Sequence, residues 1–140
     1  MTEINRGSGA AGAAKVAVLV IEDDARVRRA VRSLIDSASD LLFVGEASSE
    51  VEALELDQRI VPDVVLLDIL LPLASDGMRV LGRLLERGRR VVAMSIRGGL
   101  AADTVAAGAH VFVEKDVRGG SAILVAIRAA ADRPVGSIEA

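Results

Sequence analysis

The sequence predicts a three-layer α/β/α sandwich around a doubly wound sheet of five parallel strands. Three observations carry this. Five short apolar runs rich in β-branched residues recur along the chain. Between them, apolar residues return at helical spacing. The connections are short, so strand and helix alternate, and alternation of this kind requires parallel strands with right-handed crossovers. Parallel strands are covered on both faces and read as unbroken apolar runs rather than as alternating ones.

The elements follow in order. Residues 1–14 (MTEINRGSGAAGAA) are small, Gly-rich and aperiodic, which predicts a flexible N-terminal tail. Residues 15–21 (KVAVLVI) form the first strand, which ends at Glu22-Asp23-Asp24. Val27, Val31, Leu34 and Ile35 then stripe a helix, with Asp24 as its N-cap and Arg26, Arg28, Arg29 and Arg32 on the remaining positions. Residues 41–46 (LLFVGE) make the second strand. Ser49 with Glu52 fits a capping box that opens a helix running to Arg59, and Pro62 stops it. Residues 64–67 form the third strand, ending at Asp68, and residues 72–77 (PLASDG) read as a loop. Met78, Leu81, Leu84 and Leu85 stripe the third helix, with Gly88 suited to its C-terminal cap. Residues 91–94 form the fourth strand, ending at Ser95, and residues 98–107 an Ala-rich fourth helix. Residues 111–113 form the fifth strand, followed by Glu114-Lys115-Asp116. Residues 122–132 form the last helix, with Ile123 and Ile127 on its apolar side. The predicted domain is thus 15–132, with 133–140 as a tail or the start of a linker.

Bulk properties exclude several classes. The chain of 140 residues is the length of one domain, and half of it is apolar. With Phe43 and Phe112 as the only aromatics, the core must be aliphatic. A net charge of −3 argues against direct nucleic-acid binding by this segment. The absence of cysteine excludes disulfides, thiolate metal sites and cysteine catalysis. No apolar run approaches the roughly 20 residues of a membrane span, and no signal-peptide pattern opens the chain, so a cytoplasmic setting is expected.

The run VPDVVLLDILLP raises the functional question, because an ionised Asp68 beside a core is costly unless paired, hydrogen-bonded or metal-bound. In a doubly wound fold the site lies outside the carboxyl ends of the strands. There the first strand delivers Glu22 and Asp23, the third Asp68, the fourth Ser95 and the fifth Lys115. Clustered carboxylates repel, and a hard divalent cation such as Mg²⁺ relieves the repulsion through all-oxygen ligation. A carboxylate beside that ion can attack a phosphoryl donor, with the lysine and the hydroxyl stabilising the transferred charge. Each residue also has a plainer reading. Asp68 alone fits a turn after a strand, Glu22 and Asp23 fit an acidic first turn favoured by a helix dipole, and Lys115 fits a solvated strand end. Ser95 could simply bond backbone, Phe112 could be plain core, and His110, the single histidine, reads as a strand-edge residue without a catalytic role.

From about Lys15 to Asp132 the chain resembles a bacterial two-component response-regulator receiver domain of the chemotaxis-regulator kind. The segments VLVIEDD, PDVVLLDILLP, VVAMS and GAHVFVEKD carry the resemblance as a set. It implies a flavodoxin-like strand order 2-1-3-4-5. It also implies that Asp68 is the phosphoacceptor and that Mg²⁺ is held by Asp23, Asp68, Glu22 through water, and the Leu70 backbone carbonyl. Ser95 is then the switch hydroxyl, Lys115 the charge clamp and Phe112 the rotating aromatic. The implied function is a phosphorylation switch fed by a sensor histidine kinase, not an enzyme acting on another substrate.

 Phosphorylation and dephosphorylation of Asp68 are the only reactions the resemblance assigns to the chain.

The same resemblance places the response to phosphorylation on the fourth helix, fifth strand and fifth helix. Leu100, Asp103, Arg118 and Arg128 would lie there, on a surface for homodimer or effector contacts. Arg26 and Arg29 on the first helix would face the kinase. The ending GSAILVAIRAAADRP resembles receivers joined to DNA-binding output domains, so the chain is expected to be either a stand-alone receiver or the receiver part of a transcriptional regulator with its output domain missing from this segment. Three features depart from the usual pattern. Ile96 follows Ser95 where a small residue is usual, the 72–77 loop is one residue longer, and Leu70 and Arg97 occupy the positions that tune acyl-phosphate hydrolysis. The last pair predicts slow self-dephosphorylation, which a phosphoryl lifetime of seconds would refute. Ile96 keeps a second reading open, a degenerate receiver acting as a phosphorylation-independent interaction module. An aspartate-nucleophile phosphatase of the haloacid-dehalogenase type needs a second Asp where Leu70 stands. A flavin carrier needs a hydroxyl-rich phosphate loop and flanking aromatics, which the chain lacks.

Overall fold

The computed structural model describes residues 14–71, 73–95, 101–114 and 120–132. Five strands alternate with five helices: β1 Val16–Ile21, α1 Ala25–Asp36, β2 Leu41–Ala47, α2 Glu50–Ile60, β3 Val64–Asp68, α3 Ala74–Glu86, β4 Arg90–Ser95, α4 Ala101–Ala106, β5 Val111–Glu114 and α5 Ser121–Ala131. All pairings are parallel, in the order β2-β1-β3-β4-β5, so the expected doubly wound topology is the observed one.

Strand alternation divides the core into two layers. Val18, Val20, Leu66, Val92 and Met94 pack beneath α1 and α5, where Val31, Ile35, Ala126 and Ile127 meet them. Leu19, Ile21, Val65, Leu67 and Ala93 face Ala53, Leu56, Val80, Leu81 and Leu84 of α2 and α3. Burying one such Leu or Ile side chain contributes about 1.5–3 kcal/mol. Phe43 is fully buried, and the Arg32 guanidinium lies 4.6 Å from its ring centroid. Arg32 therefore roofs the core aromatic instead of merely facing solvent.

Most helix ends follow the sequence. Asp24 caps α1 by accepting the Arg26 N–H at 2.8 Å. Ser49 caps α2 by accepting the Glu52 N–H at 3.3 Å. The reciprocal half of the capping box is displaced by one residue: the Glu52 carboxylate accepts the Ser48 N–H, at 2.7 Å. Gly88, at φ 79°, follows the α3 C-cap in the left-handed conformation that glycine adopts without steric cost.

The start of α3 is a correction. Residues 74–77, read as loop from their turn-forming composition, are the first turn of the helix. Asp76 accepts the Leu73 N–H at 3.3 Å and satisfies a donor that the helix end would otherwise leave free. Gly77 lets that turn approach β3, since a Cβ there would stand 1.8 Å from the Ile69 carbonyl oxygen. Of α4, residues 101–106 are helical and Ala107 is already a turn; the expected start at 98 lies outside the described residues.

One buried charge was not anticipated. Asp57 of α2 is fully buried and accepts from Arg87 Nη1 at 2.9 Å and from Arg89 Nε at 2.8 Å. The three charges join α2 to the α3–β4 connection. Among the described residues, no helix is long and apolar enough to cross a membrane.

Candidate functional site

The site is built by register. Ile21 pairs with Leu67, so one step further along both strands sets Glu22 beside Asp68. Asp68 in turn pairs with Met94, and Ser95 follows as the last residue of β4. Parallel strands end on the same edge, so these side chains gather without any long loop.

Carboxylate oxygens of Glu22, Asp23 and Asp68 lie within 4.8 Å of one another. Glu22 and Asp68 are buried, whereas Asp23 is exposed. At a separation of ~4.8 Å, two carboxylates repel by roughly 3 kcal/mol at an effective dielectric constant near 20. Local hydrogen bonds hold the group in place. Leu70 N–H donates to Asp68 Oδ1 at 3.1 Å, and Asp24 N–H to Glu22 Oε2 at 3.4 Å. The Glu22 N–H donates to the Ala47 carbonyl at 3.0 Å, which ties the end of β1 to β2.

The donor set fits a hard cation. It consists of carboxylate oxygens on three side chains, with Leu70 two residues beyond Asp68. Opposite ligands of an Mg²⁺ octahedron stand about 4.2 Å apart, so carboxylate oxygens gathered within 4.8 Å are close enough to share one such ion.

Ser95 is buried at the strand end. Phe112 pairs with Ala93 across β4 and β5, and by alternation Ala93 and Ser95 lie on one face. Phe112 is half-buried against the layer formed by α2 and α3. Glu114 pairs with Ser95 at the end of β5. The expected positions Lys115, Ile96, Arg97, Leu100 and Arg118 lie outside the described residues. Arg128, expected on the α4-β5-α5 face, instead forks onto Asp40 in the α1–β2 connection, at 2.8 and 2.9 Å. His110 precedes β5, where its Nδ1 accepts the Val91 N–H at 3.2 Å and its own N–H donates to the Val91 carbonyl at 2.9 Å. Sequence reading missed Arg28, whose Nη1 donates to the Glu22 carbonyl at 2.7 Å and to the Asp23 carbonyl at 3.2 Å. Its place on the polar stripe of α1 looked like that of a solvated arginine.

A sequence model of the response regulator receiver domain matches residues 18–128. The chain belongs to that family. Receiver domains of two-component systems bind Mg²⁺ at an acidic pocket and interact with histidine kinases or phosphotransfer proteins. This receiver is 36% identical over 81 residues to the nitrate/nitrite response regulator NarL of Escherichia coli, a match covering 56% of the chain and 37% of NarL. It is 37% identical over 105 residues to a protein-glutamate methylesterase/protein-glutamine glutaminase of Myxococcus xanthus, covering 71% of the chain but 30% of that enzyme. The second match is to the enzyme's receiver part. The chain therefore spans less than two fifths of either relative. Among solved structures, the signal receiver domain of NarL from Mycobacterium tuberculosis superposes with a TM-score of 0.74 at 28% identity, over 85% of this chain and 98% of that one.

Proposed function

We propose that this receiver takes a phosphoryl group from the phosphohistidine of a sensor kinase onto Asp68. The observation that carries this reading is the meeting of Glu22, Asp23 and Asp68 within 4.8 Å at the ends of β1 and β3. Asp23, Asp68, the Leu70 carbonyl and, through water, Glu22 would hold Mg²⁺. When bound, the ion supplies positive charge against the carboxylates and the phosphoryl oxygens.

The chain's own residues do the rest. A carboxylate oxygen of Asp68 attacks phosphorus, and an O–P bond forms as the N–P bond of the phosphohistidine breaks. The departing imidazole keeps the electron pair and takes up a proton. The Ser95 hydroxyl donates to a phosphoryl oxygen, and the Lys115 ammonium pairs with the same charge. Ile69 and Leu71 are buried beside Asp68 and limit the access of water. Drawing Ser95 toward the phosphoryl group vacates space on the face it shares with Phe112. Rotation of that ring then biases the α4-β5-α5 surface between two states. The kinship with NarL favours the receiver part of a transcriptional regulator, with residues 15–132 as the folded unit.

Intact-mass measurement after incubation with Mg²⁺ and acetyl phosphate tests the reading. One phosphoryl group is expected on the wild type and none on Asp68→Asn. An unmodified wild-type chain would favour the phosphorylation-independent module instead.

A further inference from the structure

Arg28 sits behind the acidic pair. Its Nη1 holds the carbonyls of Glu22 and Asp23, at 2.7 and 3.2 Å. Its Nε stands 3.6 Å from Glu46 Oε1 on β2, and the side chain is only 17% exposed. One cation thus connects α1, the β1–α1 turn and β2.

We propose that Arg28 is a positioning residue of the metal site. By fixing two successive carbonyls it fixes the backbone from which the Glu22 and Asp23 carboxylates project, and so sets the affinity for a divalent cation. The inference rests on the reading of the three carboxylates as an Mg²⁺ site. Two effects of Arg28 on that affinity have opposite signs. As a nearby positive charge it repels the cation, so removing it through charge alone tightens binding. As a clamp it holds the ligands in place, so removing it loosens binding. Groups that orient metal ligands without touching the metal typically change affinity 10–100-fold. A single screened charge near the surface is the smaller effect.

Titration of the chain with Mg²⁺, followed by the amide NMR shifts of Glu22 to Asp24, separates the two. Arg28→Met is expected to bind Mg²⁺ about tenfold more weakly, although it has lost a positive charge. Arg28→Lys, which keeps the charge without the fork, is expected to recover only part of the loss. Glu46→Gln leaves the arginine in place but removes its ionic partner, and is expected to weaken binding in the same direction. Dispersed spectra without Mg²⁺ establish that each variant is folded. Unchanged or tighter binding by folded Arg28→Met overturns the proposal. Should that variant not fold, full affinity in both Arg28→Lys and Glu46→Gln overturns it. A wild-type chain without Mg²⁺-dependent shifts would remove the site itself, a different outcome from equal binding by wild type and variants.

Discussion

Val61 has a positive φ of 52°, and it is the one non-glycine residue among those described that does. It closes α2 in the left-handed conformation, directly before Pro62. A β-branched residue pays about 1–2 kcal/mol there. Val61→Gly relieves the clash at some cost in unfolded-chain entropy, so a gain of about 0.5–1 kcal/mol is expected from urea denaturation. Asp57 runs the other way. Its carboxylate is fully buried between two arginines, and Asp57→Ala leaves both without it. A loss of about 3 kcal/mol is expected by the same measurement, since breaking a buried pair costs more than the pair contributes. A third carboxylate, Asp40, reports on pH. The hydrogen-bonded Arg128 fork holds its carboxyl below the ordinary value of 3.8. A carboxyl depressed by folding contributes stability above its unfolded pKa and loses it as pH falls through the folded one. The stability gap between wild type and Asp40→Asn is therefore expected to be constant near neutral pH and to close below about pH 4. These side-chain partners were the least legible part of the molecule. Arg28 and Arg32 read as the polar side of α1, and Arg87 and Arg89 drew no reading at all, because nothing local tells an arginine facing water from one folded back onto a carbonyl, a ring or a buried aspartate.

At the scale of elements, patterning was legible wherever the chain satisfies its own backbone. Asp24 and Ser49 cap their helices as their sequence positions dictate. The start of α3 was obscured because Ser75, Asp76 and Gly77 have turn chemistry. The turn is helical because Asp76 supplies a capping acceptor and because Gly77 packs on the backbone of Ile69, a tertiary contact invisible in local composition. Gly77→Ala tests this. It must push α3 away from the residue that follows Asp68, and a destabilisation of about 1–3 kcal/mol is expected from thermal unfolding. An unchanged melting temperature would mean that α3 tolerates the shift.

For the whole molecule, five apolar runs and their short connections were enough to set the sheet, since parallel strands buried on both faces leave an unmistakable pattern. The carboxylate trio was legible for the same reason: once strand ends are known, parallel topology sends them to one edge. Strand position within the sheet has a further consequence. β1 and β3 are flanked by strands on both sides and are almost wholly buried, whereas β5 is a four-residue edge strand with half-buried positions, beside a six-residue α4. Native-state amide hydrogen exchange is expected to be slowest in β1 and β3 and fastest in β5 and α4. Uniform protection across the sheet would refute such a gradient. The rigid middle of the sheet would then carry the acids, and the edge that opens most readily would carry Phe112, so local unfolding costs least where a signal has to be passed on.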